Sequence, residues 1–356
     1  MLRRRSQLLD VITVFTLCST NYLAHAKTLG ASLTQHNPDY HFVIGVVDRI
    51  PGEIKPSFWH PFELIEVENL EIDVLGEMVQ RYDVVELNTA VKSLFFKHLY
   101  QRDPSTEAVI YLDPDILVCA PFHKLEEKLR THNIIVTPHS CTFDNSDTVI
   151  YYEQGMLSSG IYNLGFLATS RSKETTAFLD WWEYRLRAYC YYAPGTGLFV
   201  DQLWVTLAPL YFPVHVEMNP GYNMCYWNHF ERQLTQGERG YLVNGEHRLI
   251  FYHFSSYSPD KPEKITVRTK SKTASFTERP DLKPLYDDYR SRLLANGYLA
   301  IKSEPYVLRR NPPKSNATPR TAIKDTLRAA LRALPRSFQI PLKRISQFTL
   351  NSFKTI

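Results

Sequence analysis

Two aspartates one residue apart, Asp113-Pro114-Asp115, interrupt an apolar run that extends from Ala108 to Val118. The residues ahead of them, Ala-Val-Ile-Tyr-Leu, read as a strand buried on both faces, because the run is continuous rather than alternating. The carboxylates then fall at the strand's C-terminal edge, where open α/β sheets bind ligands. Pro114 fixes its own φ and disfavours the helical region for Asp113, so the backbone between the acids is stiff. Two hard oxygen donors held that way suit Mg2+ or Mn2+, which take carboxylate, water and phosphate oxygens together. The same residues would also make an acidic turn closing a core strand, and spacing alone leaves both readings open.

The flanking pattern supplies the elements that must position these acids. Val11–Thr16 reads as a first strand, followed by Cys18-Ser19-Thr20-Asn21-Tyr22 and a helix from Leu23 to Gln35 that ends before Asn37-Pro38. His41–Val47 and Phe62–Val67 read as the next two strands. A helix is expected from Asn88 or Thr89, as N-cap, through about Tyr100. Strand, helix, strand, helix, strand within 120 residues predicts a doubly wound, mostly parallel α/β sheet with flanking helices. Further on, Ile134–Thr137 is a short strand, and Ser159–Thr169 is a strand or hairpin whose glycines suit close approach of a ligand or backbone. Glu174–Cys190 is a helix, Val200-Asp201-Gln202-Leu203-Trp204 opens another, and Leu249–Phe254 is a late strand ending in His253. Leu285–Leu294 is a short helix.

Composition sets the class. Of 356 residues 44% are hydrophobic and 22% charged, which predicts a large packed core rather than disorder. No stretch of 18 apolar residues exists to span a membrane. The five cysteines (18, 119, 141, 190, 225) form no C-x-x-C pair, and three sit in apolar or aromatic runs, so reduced thiols and a cytoplasmic location are expected. The N-terminus imitates a secretory signal (Arg3-Arg4-Arg5, Val11–Leu17, Ala24-His25-Ala26). Its apolar run is only seven residues long and abuts Asp10, so a strand is the expected reading.

Seven segments, in order, resemble the GT-A glycosyltransferases and among them the family-8-like sugar transferases. They are Cys-Ser-Thr-Asn-Tyr from Cys18, Thr-Ala-Val-Lys from Thr89, Tyr-Leu-Asp-Pro-Asp from Tyr111, Gly-Ile-Tyr-Asn-Leu-Gly-Phe from Gly160, Val-Asp-Gln-Leu-Trp from Val200, Asn-Pro-Gly-Tyr-Asn-Met from Asn219, and Phe-Tyr-His-Phe-Ser from Phe251. The resemblance covers roughly residues 10–258. It implies a Rossmann-like nucleotide-binding part (about 10–125) and an acceptor and catalytic part (about 126–260), within a domain spanning 1–300. It implies a metal, Mn2+ or Mg2+, on Asp113, Asp115 and His253. Thr20, Asn21 and Tyr22 would line a uridine pocket, Asp113 would also reach the ribose, and Lys92 would contact the donor's phosphate or sugar. Gly160, Asn163 and Gly165 would let the transferred sugar approach, and Asp201 and Gln202 would sit over its anomeric carbon. Two departures stand out: Lys92-Ser93 where the family often has Lys-Pro, and Ser255-Ser256 where Ser-Gly is common. The second loosens Lys261 as a phosphate contact.

The chemistry has its own logic. Breaking a sugar–phosphate bond requires charge neutralised on the departing diphosphate and a nearby carboxylate or amide oxygen for the positive charge developing on the sugar. The chemistry and the resemblance together give the expected function, transfer of a hexosyl group from a nucleotide-sugar to a saccharide or lipid-linked saccharide; the resemblance implies a UDP-sugar donor and retention. Other readings are an inverting enzyme with Asp201 as base, a haloacid-dehalogenase-like phosphatase with Asp113 as nucleophile, and a non-catalytic sugar-binding protein.

Charge is unevenly placed. Residues 301–356 hold twelve Lys/Arg and two acids, +10 in all, against −6 for the first 300 residues. Residues 301–320 read as a linker and 321–356 as a basic tail, with Ile323, Leu327, Leu331 and Leu334 on one helical face. Such a tail suits the anionic inner face of a membrane, and the acidic remainder argues against nucleic acid. Full-length protein is expected to co-sediment with anionic liposomes at physiological salt, and a version ending at Lys302 is not; equal pelleting of the two would remove the tail from membrane binding.

Overall fold

The structure, a computed structural model, describes residues 9, 11–268 and 275–308. Four strands carry the apolar runs of the first third: β1 (Ile12–Cys18), β2 (His41–Val46), β3 (Glu63–Glu66) and β4 (Ala108–Leu112). β1 pairs in parallel with β2 and with β4, and β2 with β3. The chain then continues through β5 (Ile116–Val118), β6 (Ile134–Pro138) and β7 (Tyr162–Ser170). β7 lies antiparallel between β4 and β6, and the strand Val214–Val216 closes the far edge beside β6. The seven-stranded order is therefore Val214–Val216, β6, β7, β4, β1, β2, β3, mixed but mostly parallel.

Both faces of this sheet are covered at its centre, which is why β1 and β4 are buried along their whole length and β2 beyond its first residue, while the edge strand β3 is only half-buried. Along β1, Ile12, Val14 and Cys18 join one core and Phe15 and Leu17 the other; along β4, Ala108, Ile110 and Leu112 oppose Val109 and Tyr111. The first core packs against α1 (Leu23–His36) through Leu23, Ala26, Leu29 and Leu33. The second packs against α2 (Leu75–Arg81), α3 (Val84–Ala90) and α4 (Lys92–Arg102). Phe95 and Phe96 of α4 meet Phe15 of β1, the latter edge-on at 4.8 Å. Truncating either to Ala would cost roughly 3–5 kcal/mol, so α4 is held firmly where Lys92 begins it.

The helix expected from Asn88 or Thr89 is divided. Its first part, α3, starts five residues earlier, capped by Asp83, whose carboxylate accepts from the Val85 and Glu86 N–H groups while Glu86 reaches back to the Asp83 N–H. Asn88 and Thr89 are interior residues, each bonding back to a carbonyl one turn earlier. The apolar run through Asp113-Pro114-Asp115 is likewise not one strand. It breaks at a turn closed by the Ile116 N–H on the Asp113 carbonyl (3.1 Å), with Pro114 at the position where its fixed φ is most favourable. Beyond the turn, β5 leaves the main sheet and pairs antiparallel with the strand Phe251–His253.

The remaining helices among the described residues are α5 (His123–Leu129), α6 (Asp147–Ser159), α7 (Lys173–Tyr189), α8 (Gln202–Val205), α9 (Lys283–Ala295) and α10 (Tyr298–Ile301). All five cysteines are free thiols, and among the described residues no helix is long and apolar enough to cross a membrane. The basic tail, residues 321–356, lies outside the described residues.

The first part of the expected linker is folded. Asp48, after β2, is fully buried. Its Oδ2 accepts from the Thr20 hydroxyl (2.9 Å) and N–H (3.3 Å), and its Oδ1 from the N–H groups of Val307 (2.9 Å) and Leu308 (3.2 Å). A chain ending at Lys302 would lose the last two donors and the burial of Leu308, so the liposome comparison belongs with a cut after Leu308. Asp48→Ala is expected to strip a partner from several buried N–H groups at once, lowering stability by roughly 3 kcal/mol. A urea unfolding midpoint within error of wild type would remove Asp48 as the clasp.

Candidate functional site

The site grows from the turn that ends β4. Antiparallel pairing of β4 with β7 sets Leu112 against Phe166 and lets the Asp113 N–H donate to the Gly165 carbonyl (2.8 Å). A Cβ at Gly165 would lie 2.5 Å from His253 Cε1 and 2.8 Å from Asp113 Oδ2, so only glycine admits this approach. Tyr111, two residues earlier, donates its phenol to Asp113 Oδ1 (2.6 Å). Burial and then the Asp113 charge hold that phenol well above its ordinary pKa, so it stays a donor. The pairing of β5 with Phe251–His253 sets His253 opposite Ile116. Its Nε2 then lies 3.1 Å from Asp115 Oδ1 and 3.6 Å from Asp113 Oδ2.

The tautomer of His253 follows from a network of amides. The Asn223 side-chain nitrogen donates to Thr137 Oγ1 (2.8 Å) and to Asn163 Oδ1 (3.0 Å), which turns its oxygen toward His253 Nδ1 at 3.2 Å. Nδ1 must therefore carry a proton and donate it, leaving Nε2 to face the two carboxylates. A bare Nε2 lone pair there would oppose two negative oxygens. It is satisfied either by protonation or by a cation shared with Asp113 and Asp115. The three ligand atoms lie within 4.8 Å of one another, and two carboxylate oxygens with one imidazole nitrogen fit Mn2+ or Mg2+ completed by water or phosphate. Electrostatics agree: burial opposes charge on His253, yet Asp115 and Asp113 outweigh it and raise its pKa. Burial likewise opposes ionisation of Asp115, but His253 brings its pKa below the ordinary value.

A cavity of about 380 Å3 opens over this cluster, lined by Asp113, His253, Asn163 and Gln202 among others. Gln202 is held rigidly in its wall: Oε1 accepts from the Leu164 N–H (3.2 Å) and Asn163 Nδ2 (3.3 Å), and Nε2 donates to the Ser159 carbonyl (2.8 Å). Gly160 adopts φ 110° beside it, and a Cβ there would meet the Gln202 backbone carbonyl and Cγ at 3.2 Å. His139 lines the same cavity, and burial pushes its pKa down to about 4, so it is neutral at ordinary pH.

Several expected residues face elsewhere. Lys92 and Asp201 are both buried, and they pair with each other at 2.7 Å beneath the cavity. Lys92 also donates to the Leu164 carbonyl (2.9 Å) and sits 4.1 Å over the Tyr111 ring. It is thus tied into the floor rather than presented to a phosphate. Asp201, turned toward Lys92, does not line the cavity as Gln202 does; burial holds its carboxyl above the ordinary pKa, against the pull of Lys92. Thr20 is also inward, committed to Asp48. Asn21 accepts from the Ser19 hydroxyl (2.7 Å). Tyr22 is 41% exposed and stacks on His25, with ring centroids 4.4 Å apart.

Asn223 lies in one of the seven resembling segments, but nothing local in the sequence marks it for a role. Two helix-start signals stand in the sequence beyond those read above: Ser146, which caps α6, and the Asp-x-x-Glu from Asp83 to Glu86 ahead of α3.

No family model matches the chain. It is similar to YfnF, an uncharacterized protein of Bacillus subtilis (strain 168), at 26% identity over 284 residues, covering 78% of this chain and 90% of that one. Among solved structures, the galactosyltransferase LgtC in complex with donor and acceptor sugar analogs aligns at 14% identity. That alignment spans 78% of this chain and 95% of LgtC, with a TM-score of 0.46. The glycosyltransferase GlyE of Streptococcus pneumoniae TIGR4, in its apo form, aligns at 14% identity over 80% of this chain and 62% of its own, with a TM-score of 0.46.

Asn223→Gly removes the amide that orients His253 while keeping a residue suited to the positive φ of 54° found there. Mn2+ affinity is expected to fall about ten- to hundredfold by calorimetry, as for other outer-shell partners of a metal-bound histidine. Acidification should weaken Mn2+ binding too, because a proton competes for Nε2. With the His253 pKa raised, that loss should begin at a higher pH than for an ordinary imidazole of 6.5. Unchanged Mn2+ affinity in Asn223→Gly would separate Asn223 from the metal site.

Proposed function

We propose that this chain is a divalent-metal-dependent glycosyltransferase of the GT-A type, moving a hexosyl group from a UDP-sugar to a saccharide with retention at the anomeric carbon. The observation that carries this reading is the convergence of Asp113, Asp115 and an Nε2-presenting His253 beside a cavity that Asp113, His253 and Gln202 line. Mn2+ or Mg2+ held there would act as a Lewis acid on the donor's diphosphate. The remaining tasks fall to the chain's own residues. Tyr111 and Gly165 fix Asp113, Asn223 fixes His253, and Asn163 together with the Leu164 N–H fixes the Gln202 oxygen at the wall. A dipole held this way stabilises developing positive charge without reorganising.

Retention is favoured over inversion by where the acids point. An inverting reaction needs a carboxylate free to deprotonate the acceptor hydroxyl. Among the described lining residues there is one carboxylate, that of Asp113, and it belongs to the metal cluster. Asp201 is neutralised by Lys92 out of reach. For the acceptor, a neighbouring groove shares Tyr152, Tyr226 and Trp227 with this cavity and adds Tyr192. Aromatic rings with polar tips offer sugar rings both an apolar face and hydrogen-bonding edges. The +10 tail favours an acceptor presented at an anionic membrane surface, such as a lipid-linked saccharide.

Asp115→Asn exchanges a charged hard ligand for a neutral one and is expected to abolish Mn2+-dependent hydrolysis of UDP-sugars without loss of fold. Gln202→Ala is expected to lower kcat about a hundredfold while leaving donor KM nearly unchanged, since its dipole is set against the transition state. Full activity of Asp115→Asn at saturating donor and Mn2+ would refute the metal-dependent reading. A rise in KM at constant kcat would make Gln202 an ordinary binding residue.

A further inference from the structure

The proposed reaction places a large negative charge in the cavity, and the metal cluster does not balance it. A divalent cation on Asp113 and Asp115, with His253 neutral, has no net charge left for the donor. The donor's diphosphate arrives dianionic, and when the bond between the anomeric carbon and the phosphate oxygen breaks, the electron pair stays on that oxygen and adds a third charge. A second cation beside the cluster is therefore required for strong binding and for a stable leaving group.

The two lysines that the family resemblance offers for this task do not meet it. Lys92 is buried in its pair with Asp201. Lys261 is exposed, its N–H closes a turn on the Ser258 carbonyl, and it is not among the residues lining the cavity. One guanidinium does line it, that of Arg268, and no ammonium does among the described lining residues. Arg268 is carried to this rim by a return of the chain after His253. The Val267 N–H donates to the Ser256 carbonyl (2.9 Å), and the Arg268 N–H to Thr266 Oγ1 (3.3 Å). Its Nη1 donates to the Tyr226 phenol oxygen (3.2 Å), and Tyr226 lines the cavity too. Ser255, two residues past His253, is part of the same lining.

We infer that Arg268 is the diphosphate-binding cation of this site, taking the place of a lysine after the metal-binding histidine. The assignment rests on the proposed nucleotide-sugar reading and adds to it a residue that no motif in the sequence marked. Guanidinium suits the role because its fork of N–H donors can hold Tyr226 with one nitrogen and two phosphate oxygens with the others.

The test uses the full chain saturated with Mn2+ and calorimetric titration with UDP, inorganic pyrophosphate and uridine. For Arg268→Ala, UDP and pyrophosphate are expected to bind about tenfold or more weakly, with uridine and Mn2+ affinities unchanged. Arg268→Lys should fall between wild type and Arg268→Ala, and Lys261→Ala should bind UDP within about twofold of wild type, the scatter expected of an exposed residue with no ligand contact. UDP binding by Arg268→Ala within that same margin overturns the assignment, as does an equal loss of uridine, which would mean a collapsed pocket. If wild type binds pyrophosphate but not UDP, the nucleotide reading fails while Arg268 stands. If it binds neither, both fall.

Discussion

Two carboxylates held side by side in a largely enclosed place repel each other, and much of this structure is arranged to hold Asp113 and Asp115 there nonetheless. The Asp-Pro-Asp turn makes the pairing geometrically stiff. Tyr111 takes part of the charge of one carboxylate by hydrogen bonding, and His253 faces both. Strand pairing does the rest, since β7 sets Gly165 against Asp113 and β5 sets Ile116 opposite His253. His253 and Gly165 could not be brought against the two acids without both pairings in register. A slip of one residue in either would turn the side chain concerned to the opposite face.

Beneath this cluster lies a second electrostatic layer. Lys92 and Asp201 form a buried pair whose mutual attraction offsets the cost of taking both out of water. Buried pairs of this kind add little net stability, but breaking one leaves an uncompensated charge and costs several kcal/mol. Its value lies in what it fixes. Lys92 starts α4, reaches the Leu164 carbonyl in β7, and holds the residue immediately before α8. β7 and α8, which both contribute to the cavity wall, are thus tied to α4 through one ion pair, and Gln202 inherits its position from it. The indole N–H of Trp182, donating to the Asp201 carbonyl, pins the same point from α7.

How much of this could be read from the sequence depended on whether the information was local. The continuous apolar runs of β1, β2 and β4, and the lead-in to Asp113, identified a sheet covered on both faces, because burial on both faces leaves its mark on every consecutive residue. The acids and His253 were legible as candidates from their placement at strand ends. The direction in which a side chain points was not. The Lys92 ammonium, at the start of a helix, suits a phosphate, and only β7 and the residue before α8, both far along the chain, show it a carbonyl and a carboxylate instead. Asn223 was illegible for the same reason: its partners Thr137, Asn163 and His253 lie 86, 60 and 30 residues away. Arg268 lies in a polar stretch with no periodicity, and its proximity to the cavity arises from a chain reversal anchored on Ser256. By contrast, the early start of α3 was written locally, in Asp83 and Glu86, and was overlooked rather than hidden.

The clasp at Asp48 has a temporal side. Its acceptor oxygens are filled partly by Thr20, 28 residues earlier, and partly by Val307 and Leu308, 259 and 260 residues later. At typical synthesis rates roughly 10–50 s separate the emergence of Asp48 from that of its last donors. During that interval β1 and β2 can pair and the hydrophobic layers can begin to form, while a carboxylate destined for full burial still depends on water in place of its last two donors. The end of the sheet nearest Thr20 is therefore the last part of the described fold to be sealed as the nascent chain emerges, and residues near 308 are the ones that seal it.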